Sequence, residues 1–330
     1  MTITETLFPL IGGIGIFMLG MNHMSEGIKL AAGDRLSIWL THGTRTPWRA
    51  FFSGMLVTTV VQSSGVVSVL LLGFVSAGMM RFDRALYAIY GANIATTNTA
   101  WLVALAGFNF RFAYYALPMV GIGALFYLFR REYRDGAIGQ FFLGFGLFFL
   151  GLGFLHDAFS GLTGSIPPIT GSSLPELVIF LFIGLVVTTL MQSSSASSAV
   201  TLSAVISGNL GVEAAAAILI GAHIGSTTTA LIASIKEGQT ARQLARGNTL
   251  VNIATAIVAL LGLGIILGLL NAHCSIYFET CPTPILLASF NTFFNVLAVL
   301  LFWPWTPRFA KWLQKRAGTA SAPGEPPESM

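Results

Sequence analysis

The chain has 330 residues, of which 54% are hydrophobic and only 9% charged, with a formal net charge of +4. A soluble domain carries roughly 25% charged residues, so this composition excludes an ordinary globular enzyme and indicates a polytopic membrane protein. The basic residues sit in short clusters between apolar runs and build no basic face, which excludes a nucleic-acid binder.

The N-terminal stretch MTITETLF lacks a basic n-region, so the first apolar run, 8–30, reads as a retained span and not as a cleaved signal peptide. Further apolar segments follow at 49–80, 85–107, 112–129, 137–160, 176–208, 214–235, 249–270 and 285–303. A helix crosses the hydrocarbon with about 20 residues. Segments 49–80 and 176–208 are too long for one crossing and too short for two, and each carries Gln-Ser-Ser near its middle. Halves of about 13–16 residues reach roughly 20–24 Å, most of the way through the bilayer core. That describes a re-entrant hairpin with a polar tip, which is allowed at such depth only where protein or a wet cavity surrounds it.

The expected fold is therefore all-α, with about seven full spans plus two hairpins in two inverted repeats. The first repeat covers 8–130 with hairpin 49–80, and the second covers 137–270 with hairpin 176–208. A final span, 285–303, follows, and the Pro-, Gly- and Ser-rich tail 317–330 reads as disordered. This arrangement puts sixteen of the seventeen Lys and Arg residues on one side and leaves Arg111 alone on the other. A single crossing by either Gln-Ser-Ser segment would swap every later loop and destroy that bias, so the positive-inside rule selects the hairpins. The N-terminus then lies outside and the C-terminus in the cytoplasm. Cys274 and Cys281 share one short outer loop, where a disulfide would form in an oxidising compartment and free thiols would remain otherwise.

The two hairpins are copies. Aligned at an offset of 130, residues 58–100 and 188–230 share 16 identities in 43 positions, half of them polar. Thr58-Thr59-Val60-Val61-Gln62-Ser63-Ser64 matches Thr188-Thr189-Leu190-Met191-Gln192-Ser193-Ser194, and Gly91–Thr99 matches Gly221–Thr229. Gly13–Gly20 likewise resembles Gly144–Gly151. Polar groups in hydrocarbon cost free energy unless satisfied, so their duplication points to a duplicated site, as in secondary transporters built from inverted repeats.

Each hairpin's second half starts near Gly65 or Ala196, and a helix start exposes unpaired N–H groups that suit an anion. Gln62, Ser63, Ser64, Gln192, Ser193, Ser194 and Ser195 form the candidate substrate cage. A lone membrane serine usually bonds back to its own helix; duplication at a helix break favours binding instead. Asn93, Thr96, Thr97, Thr99, His223, Ser226, Thr227, Thr228 and Thr229 offer hard oxygen or nitrogen ligands for a coupling cation, with intrahelical bonding as the alternative. No Lys or Arg lies in either motif or near the centre of a span, so bound cations would have to offset a buried anion. No cofactor is called for. A serine hydrolase would need one nucleophile with a base in reach, whereas these serines form a symmetric pair. An anion channel lined by the same tips, or a cation- or proton-coupled carrier of another small anion, remains as a second reading.

At these residues the sequence resembles the type II sodium–phosphate cotransporter family, whose signature is two Gln-Ser-Ser-Ser hairpins in inverted repeats. Thr59–Ser64, Gly91–Ile94, Thr188–Ser195, Ile224–Ala230 and Phe294-Asn295-Val296 carry the likeness, which spans about 8–304. Gly65 replaces the third serine of the first signature, and His223 stands where the family usually has Asn. The resemblance implies sodium-coupled symport of inorganic phosphate across a bacterial inner membrane, with hairpin tips holding phosphate and the neighbouring motifs holding sodium. It also implies that the chain is not an enzyme. Many bacterial members add a cytoplasmic helical regulatory domain, which this sequence is too short to include.

Overall fold

The computed structural model describes residues 3–33, 38–40, 44–108, 111–129, 134–161, 170, 171 and 173–316. Residues 317–330, expected to be a disordered tail, lie outside the described residues. The fold is all-α. Six helices are long and apolar enough to cross a membrane, so this is an all-α polytopic membrane protein.

Two glycine seams hold the first layer together. Helix α1 (Ile3–Ala32) packs along α7 (Arg134–Ser160), and α7 packs along α6 (Arg111–Phe129). Against α1, Gly13 meets Leu155, Gly20 meets Phe148, Gly27 meets Phe141, Gly144 meets Met24 and Gly151 meets Phe17. Ascending numbers on one helix meet descending numbers on the other, so α1 and α7 are antiparallel. A Cβ on Gly20 or Gly144 would overlap the facing backbone, which is why the seam is glycine at a seven-residue spacing. On the other face of α7, Gly139 and Gly146 meet Tyr127 and Val120 of α6 in the same way. Because α1 and α7 open the two repeats and run antiparallel, the repeats are inverted, independently of any charge argument.

Each hairpin is built alike. Helix α2 (Pro47–Val61) starts with Pro47 behind Thr46, whose hydroxyl accepts the Arg49 N–H at 3.3 Å. Its 15 residues reach about 22 Å and end at Gln62, after which α3 (Ser64–Ser76) begins. Helix α4 (Phe82–Ala95) then runs parallel to α2: Phe51 faces Gly91, and Thr59 is bonded by Asn98 just beyond α4 at 3.1 Å. Since α2 and α4 start at the same level, the intervening chain has gone in and come back. In the second repeat α8 (Leu174–Met191), α9 (Ser194–Ile206) and α10 (Val212–Ser234) repeat the pattern, with Leu181 facing Gly221 and Thr188 facing Gly225. By length and composition α8 could cross a membrane, but the chain turns at Gln192 and returns.

Three elements differ from the sequence-based expectation. The first repeat's span breaks at Thr96 into α4 and α5 (Thr97–Phe108), whereas α10 runs unbroken through the matching Ser226. Segment 249–270 divides at Gly262 into α11 (Gln239–Leu261) and α12 (Leu263–Cys274). After α13 (Thr283–Phe302) a 3-10 turn, Trp303–Trp305, leads into a further amphipathic helix, α14 (Thr306–Arg316). There Arg308 lies over Trp305 and Arg316 over Trp312, with guanidinium carbons 5.2 and 4.2 Å from the ring centroids. Trp48, Phe51, Tyr87 and Trp303 cluster at the same end, an aromatic belt of the kind found at membrane–water boundaries. Cys274 and Cys281 are joined in a disulfide that ties α12 to the start of α13.

The glycine seam yields a stability test. Gly20→Val should abolish folded protein or sharply lower its melting temperature in detergent, because the new Cβ meets backbone. Gly15→Val, one helix face away with open space at its Cβ, should leave it near wild type; equal melting of both variants would contradict this packing.

Candidate functional site

The two hairpin tips have nearly the same backbone. Gln62 (φ 56°, ψ 22°) and Gln192 (φ 51°, ψ 25°) are the non-glycine residues with left-handed backbone among those described. Ser63 (φ −146°, ψ 104°) and Ser193 (φ −147°, ψ 107°) follow in extended conformation and cap the next helix. Their hydroxyls accept the N–H of Val66 at 3.3 Å and of Ala196 at 3.2 Å. A left-handed non-glycine residue costs about 1–2 kcal/mol, and such strain persists where the surroundings over-determine it. The Gln62 amide donates to Thr59 O at 2.6 Å, and the buried Ser25 hydroxyl of α1 donates to Val61 O. These bonds satisfy carbonyls that the end of α2 leaves without helical partners.

Both tips open onto one cavity of about 300 Å³. Gln62, Ser63 and Ser64 line it from one repeat and Gln192, Ser193, Ser194 and Ser195 from the other, together with Gly65, Val66, Met191, Ser226 and Thr229. Every residue proposed for the substrate cage thus faces a common space. The first N–H groups of α3 and α9 lack intrahelical acceptors, so two positive helix ends converge there with serine hydroxyls and glutamine amides. That set is rich in donors and suits a small oxyanion.

The remaining wall is α1, and sequence reasoning missed it. Met18, Met21, Asn22, Ser25 and Lys29 line the cavity from one helix face. The signal was present: Asn22, Ser25 and Lys29 recur at helical spacing inside an apolar span. The expectation that a bound anion would meet no fixed positive charge is therefore corrected, since the Lys29 side chain borders the cavity.

The candidate cation ligands are mostly set back from this space. Only Ser226 and Thr229 line the cavity. Thr96, Thr97, Ser226, Thr227 and Thr228 donate to the carbonyls three residues earlier, of Asn93, Ile94, His223, Ile224 and Gly225, at 2.6–2.8 Å. Donation to the backbone leaves the oxygen lone pairs free to accept, so these hydroxyls remain usable ligands. Thr99 is buried. The buried hydroxyls of Thr58 and Thr188, equivalent positions one turn before the tips, have no hydrogen-bond partner.

Asn93 and His223 each join an asparagine pair. Asn93 Nδ2 donates to Asn248 Oδ1 at 3.2 Å, and Asn252 Nδ2 donates to Asn248 O at 2.9 Å on α11. His223 Nε2 lies 2.6 Å from Asn291 Oδ1, a geometry that places the N–H on Nε2, and Asn295 Nδ2 donates to Asn291 O at 2.9 Å on α13. Phe294 stacks on the His223 ring with centroids 4.7 Å apart. The element Asn-Thr-x-x-Asn therefore occurs twice, at Asn248–Asn252 and Asn291–Asn295, once beside each repeat's motif.

A family model described as "Na+/Pi-cotransporter" matches residues 16–157 and 171–278, which include both tips and both flanking motifs. The chain belongs to this family. Among relatives, the "Uncharacterized protein YqeW" of Bacillus subtilis (strain 168) is 31% identical over 300 residues, 89% of this chain and 92% of that protein. The "Putative inorganic phosphate export protein YjbB" of Salmonella typhimurium is 25% identical over 94% of this chain; the chain spans only 55% of that protein's length. Human "Sodium-dependent phosphate transport protein 2B" is 35% identical over 101 residues, 30% of this chain and 15% of that protein. No solved structure matches. The family is one of transporters and not of enzymes. Asn291, the partner of His223, and Asn295 lie beyond the stretch that the family model covers.

The turn and the amide of each glutamine can be separated. Gln62→Gly and Gln192→Gly keep the left-handed turn without its roughly 1 kcal/mol penalty, so thermal stability should hold or rise in Gln192→Gly, while in Gln62→Gly loss of the bond to Thr59 O offsets the gain. Each loses one donor at the cavity, so transport should fall about tenfold or more. Full transport by both variants would confine the glutamines to a backbone role.

Proposed function

We propose that this protein is a secondary active transporter that moves inorganic phosphate together with sodium ions, phosphate in the shared cavity and sodium beside it. The observation that carries this reading is the convergence of two strained, serine-capped helix starts from inverted repeats on one cavity. Family membership supplies the substrate class, and the relatives' names, one for phosphate export and one for sodium-dependent transport, support phosphate and sodium. Net direction then follows the gradients across the membrane.

In this mechanism phosphate accepts hydrogen bonds from Ser63, Ser64, Ser193, Ser194 and Ser195, from the Gln62 and Gln192 amides and from the free N–H groups of α3 and α9. Sodium, carried as co-substrate, takes oxygens from Thr58, Asn93, Thr96, Thr97 and Thr99 in one repeat. In the other it takes Thr188, Ser226, Thr227, Thr228, Thr229 and the His223 imidazole or backbone. Sodium offsets anionic charge in a low-dielectric space, which couples the two fluxes. Alternating access exchanges the conformations of the two repeats around the fixed site.

The same reading places the chain in a bacterial inner membrane, N-terminus outside and C-terminus in the cytoplasm, on the sixteen-to-one basic bias. The Cys274–Cys281 disulfide fits an outer loop.

Purified protein in proteoliposomes should take up labelled phosphate faster under an inward sodium gradient than under potassium. Uptake indifferent to sodium would reject the coupling, and no phosphate movement would reject the substrate. Topology has its own test. Arg81→Cys and Leu210→Cys should react with an impermeant thiol probe from opposite faces of intact cells and everted vesicles. The native cysteines are bonded to each other and do not compete. Labelling of both from one face would overturn the orientation.

A further inference from the structure

The cavity is one-sided. Its α1 wall descends from Met18 to Lys29, about three helical turns toward the C-terminal end of α1, while α7, the equivalent helix, contributes no lining residue. The alignment that pairs Gly13–Gly20 with Gly144–Gly151 pairs Ser25 with His156 and Lys29 with Ser160. At that end the structure is shut. Ser160 Oγ lies 3.3 Å from His156 Nε2 and donates to Ser207 Oγ at 3.5 Å. Ser207 Oγ is 3.3 Å from His156 Nδ1, and Asn209 Nδ2 donates to Phe159 O at 2.6 Å. The end of α7 is thereby tied to the end of the second hairpin. The corresponding hairpin positions in the first repeat are Ala77 and Met79, which offer no side-chain polar group, and on that side α1 lines the cavity as far as Lys29.

Lys29 is the charged side chain on the cavity wall, and among the described residues no carboxylate lies within ion-pair distance of it. A partly buried lysine beside a donor-rich cage, without an acidic partner, is a charge aimed at an anionic ligand. We propose that Lys29 captures phosphate at one mouth only: its ammonium pairs with the anion as it enters or leaves past the C-terminal end of α1. At the opposite end His156 and Ser160 occupy the equivalent α7 positions, with no lysine or arginine in that place. The carrier is then asymmetric by construction, with tighter phosphate binding from the Lys29 face, the cytoplasmic one on the topology above. This inference rests on the reading of the cavity as a phosphate site.

The test compares phosphate KM in everted and right-side-out vesicles containing the full chain. Lys29→Gln should raise KM about tenfold, the factor carried by one charge-assisted contact, when phosphate is offered to the Lys29 face. KM from the opposite face should stay at the wild-type value. Lys29→Arg should stay close to wild type on both faces. In Lys29→Cys, modification by an aminoethyl methanethiosulfonate reagent restores a positive charge and should recover the low KM, whereas a sulfonatoethyl reagent should not. If Lys29→Gln fails to reach the membrane, the Lys29→Cys protein before and after modification makes the same comparison. Wild-type transport with unchanged Lys29→Gln kinetics, or an equal rise on both faces, would overturn this inference alone. Wild-type vesicles that move no phosphate would overturn the functional reading, and this inference with it.

Discussion

A chain that reverses direction inside a membrane must satisfy its backbone without water, because each unpaired N–H or C=O in hydrocarbon costs several kcal/mol. The surroundings of the two tips answer that requirement. Ser63 and Ser193 cap the returning helices, Ser25 reaches from α1 to an exposed carbonyl of α2, and the Gln62 amide closes back on Thr59. The groups left over are donors at the starts of α3 and α9, and they face each other across the cavity. Binding capacity is here the remainder of a solved solvation problem, which explains why the same residues serve both stability and ligand chemistry.

The hairpins were legible in the sequence because three independent constraints agreed: segment length, the polar interruption and the distribution of basic residues. The inverted relation of the repeats could be argued from charge, and the antiparallel seam of Gly20 and Gly144 now carries it on packing alone. The disulfide could be only posed as a question, since seven residues of spacing fit both a bonded pair and free thiols. Helix α14 was passed over because its eleven residues are too polar for a span and adjoin a Pro-rich tail, yet its buried Ala310 and Leu313, with Phe309 against Phe302 of α13, hold it to the bundle.

Side-chain destinations were harder to read. All seven tip residues met at one cavity, since a helix start leaves little freedom in where the adjacent side chains point. The threonines of the flanking motifs sit on continuous or nearly continuous helix, where a hydroxyl can turn to its own backbone, and nothing in the sequence decides which way it turns. The asparagine pairs of α11 and α13 escaped notice for another reason. Asn-Thr-x-x-Asn recurs at a spacing unrelated to the 130-residue offset of the repeats, so an alignment tuned to that offset passes over it. Lys29 entered the sequence argument only as one of the sixteen basic residues on one side, although on the helix it lies about one turn below Ser25.

The glycine seams of α1, α6 and α7 bear on how such a molecule can move. Helices separated by interlocked side chains slide by small rotamer adjustments, the basis of shear motion. Where backbone lies directly on backbone there are no rotamers to adjust, and a shift of even one residue would drive Phe148 or Met24 into the opposite chain. These three helices therefore form a plate that moves only as a unit. Rearrangement is left to the contacts at its edges, where Ser25 meets the first hairpin and His156 and Ser160 meet the second. Those contacts are hydrogen bonds of side chains, made between groups that can turn to other partners. The joint is polar where the molecule has to open and backbone-packed along the seams.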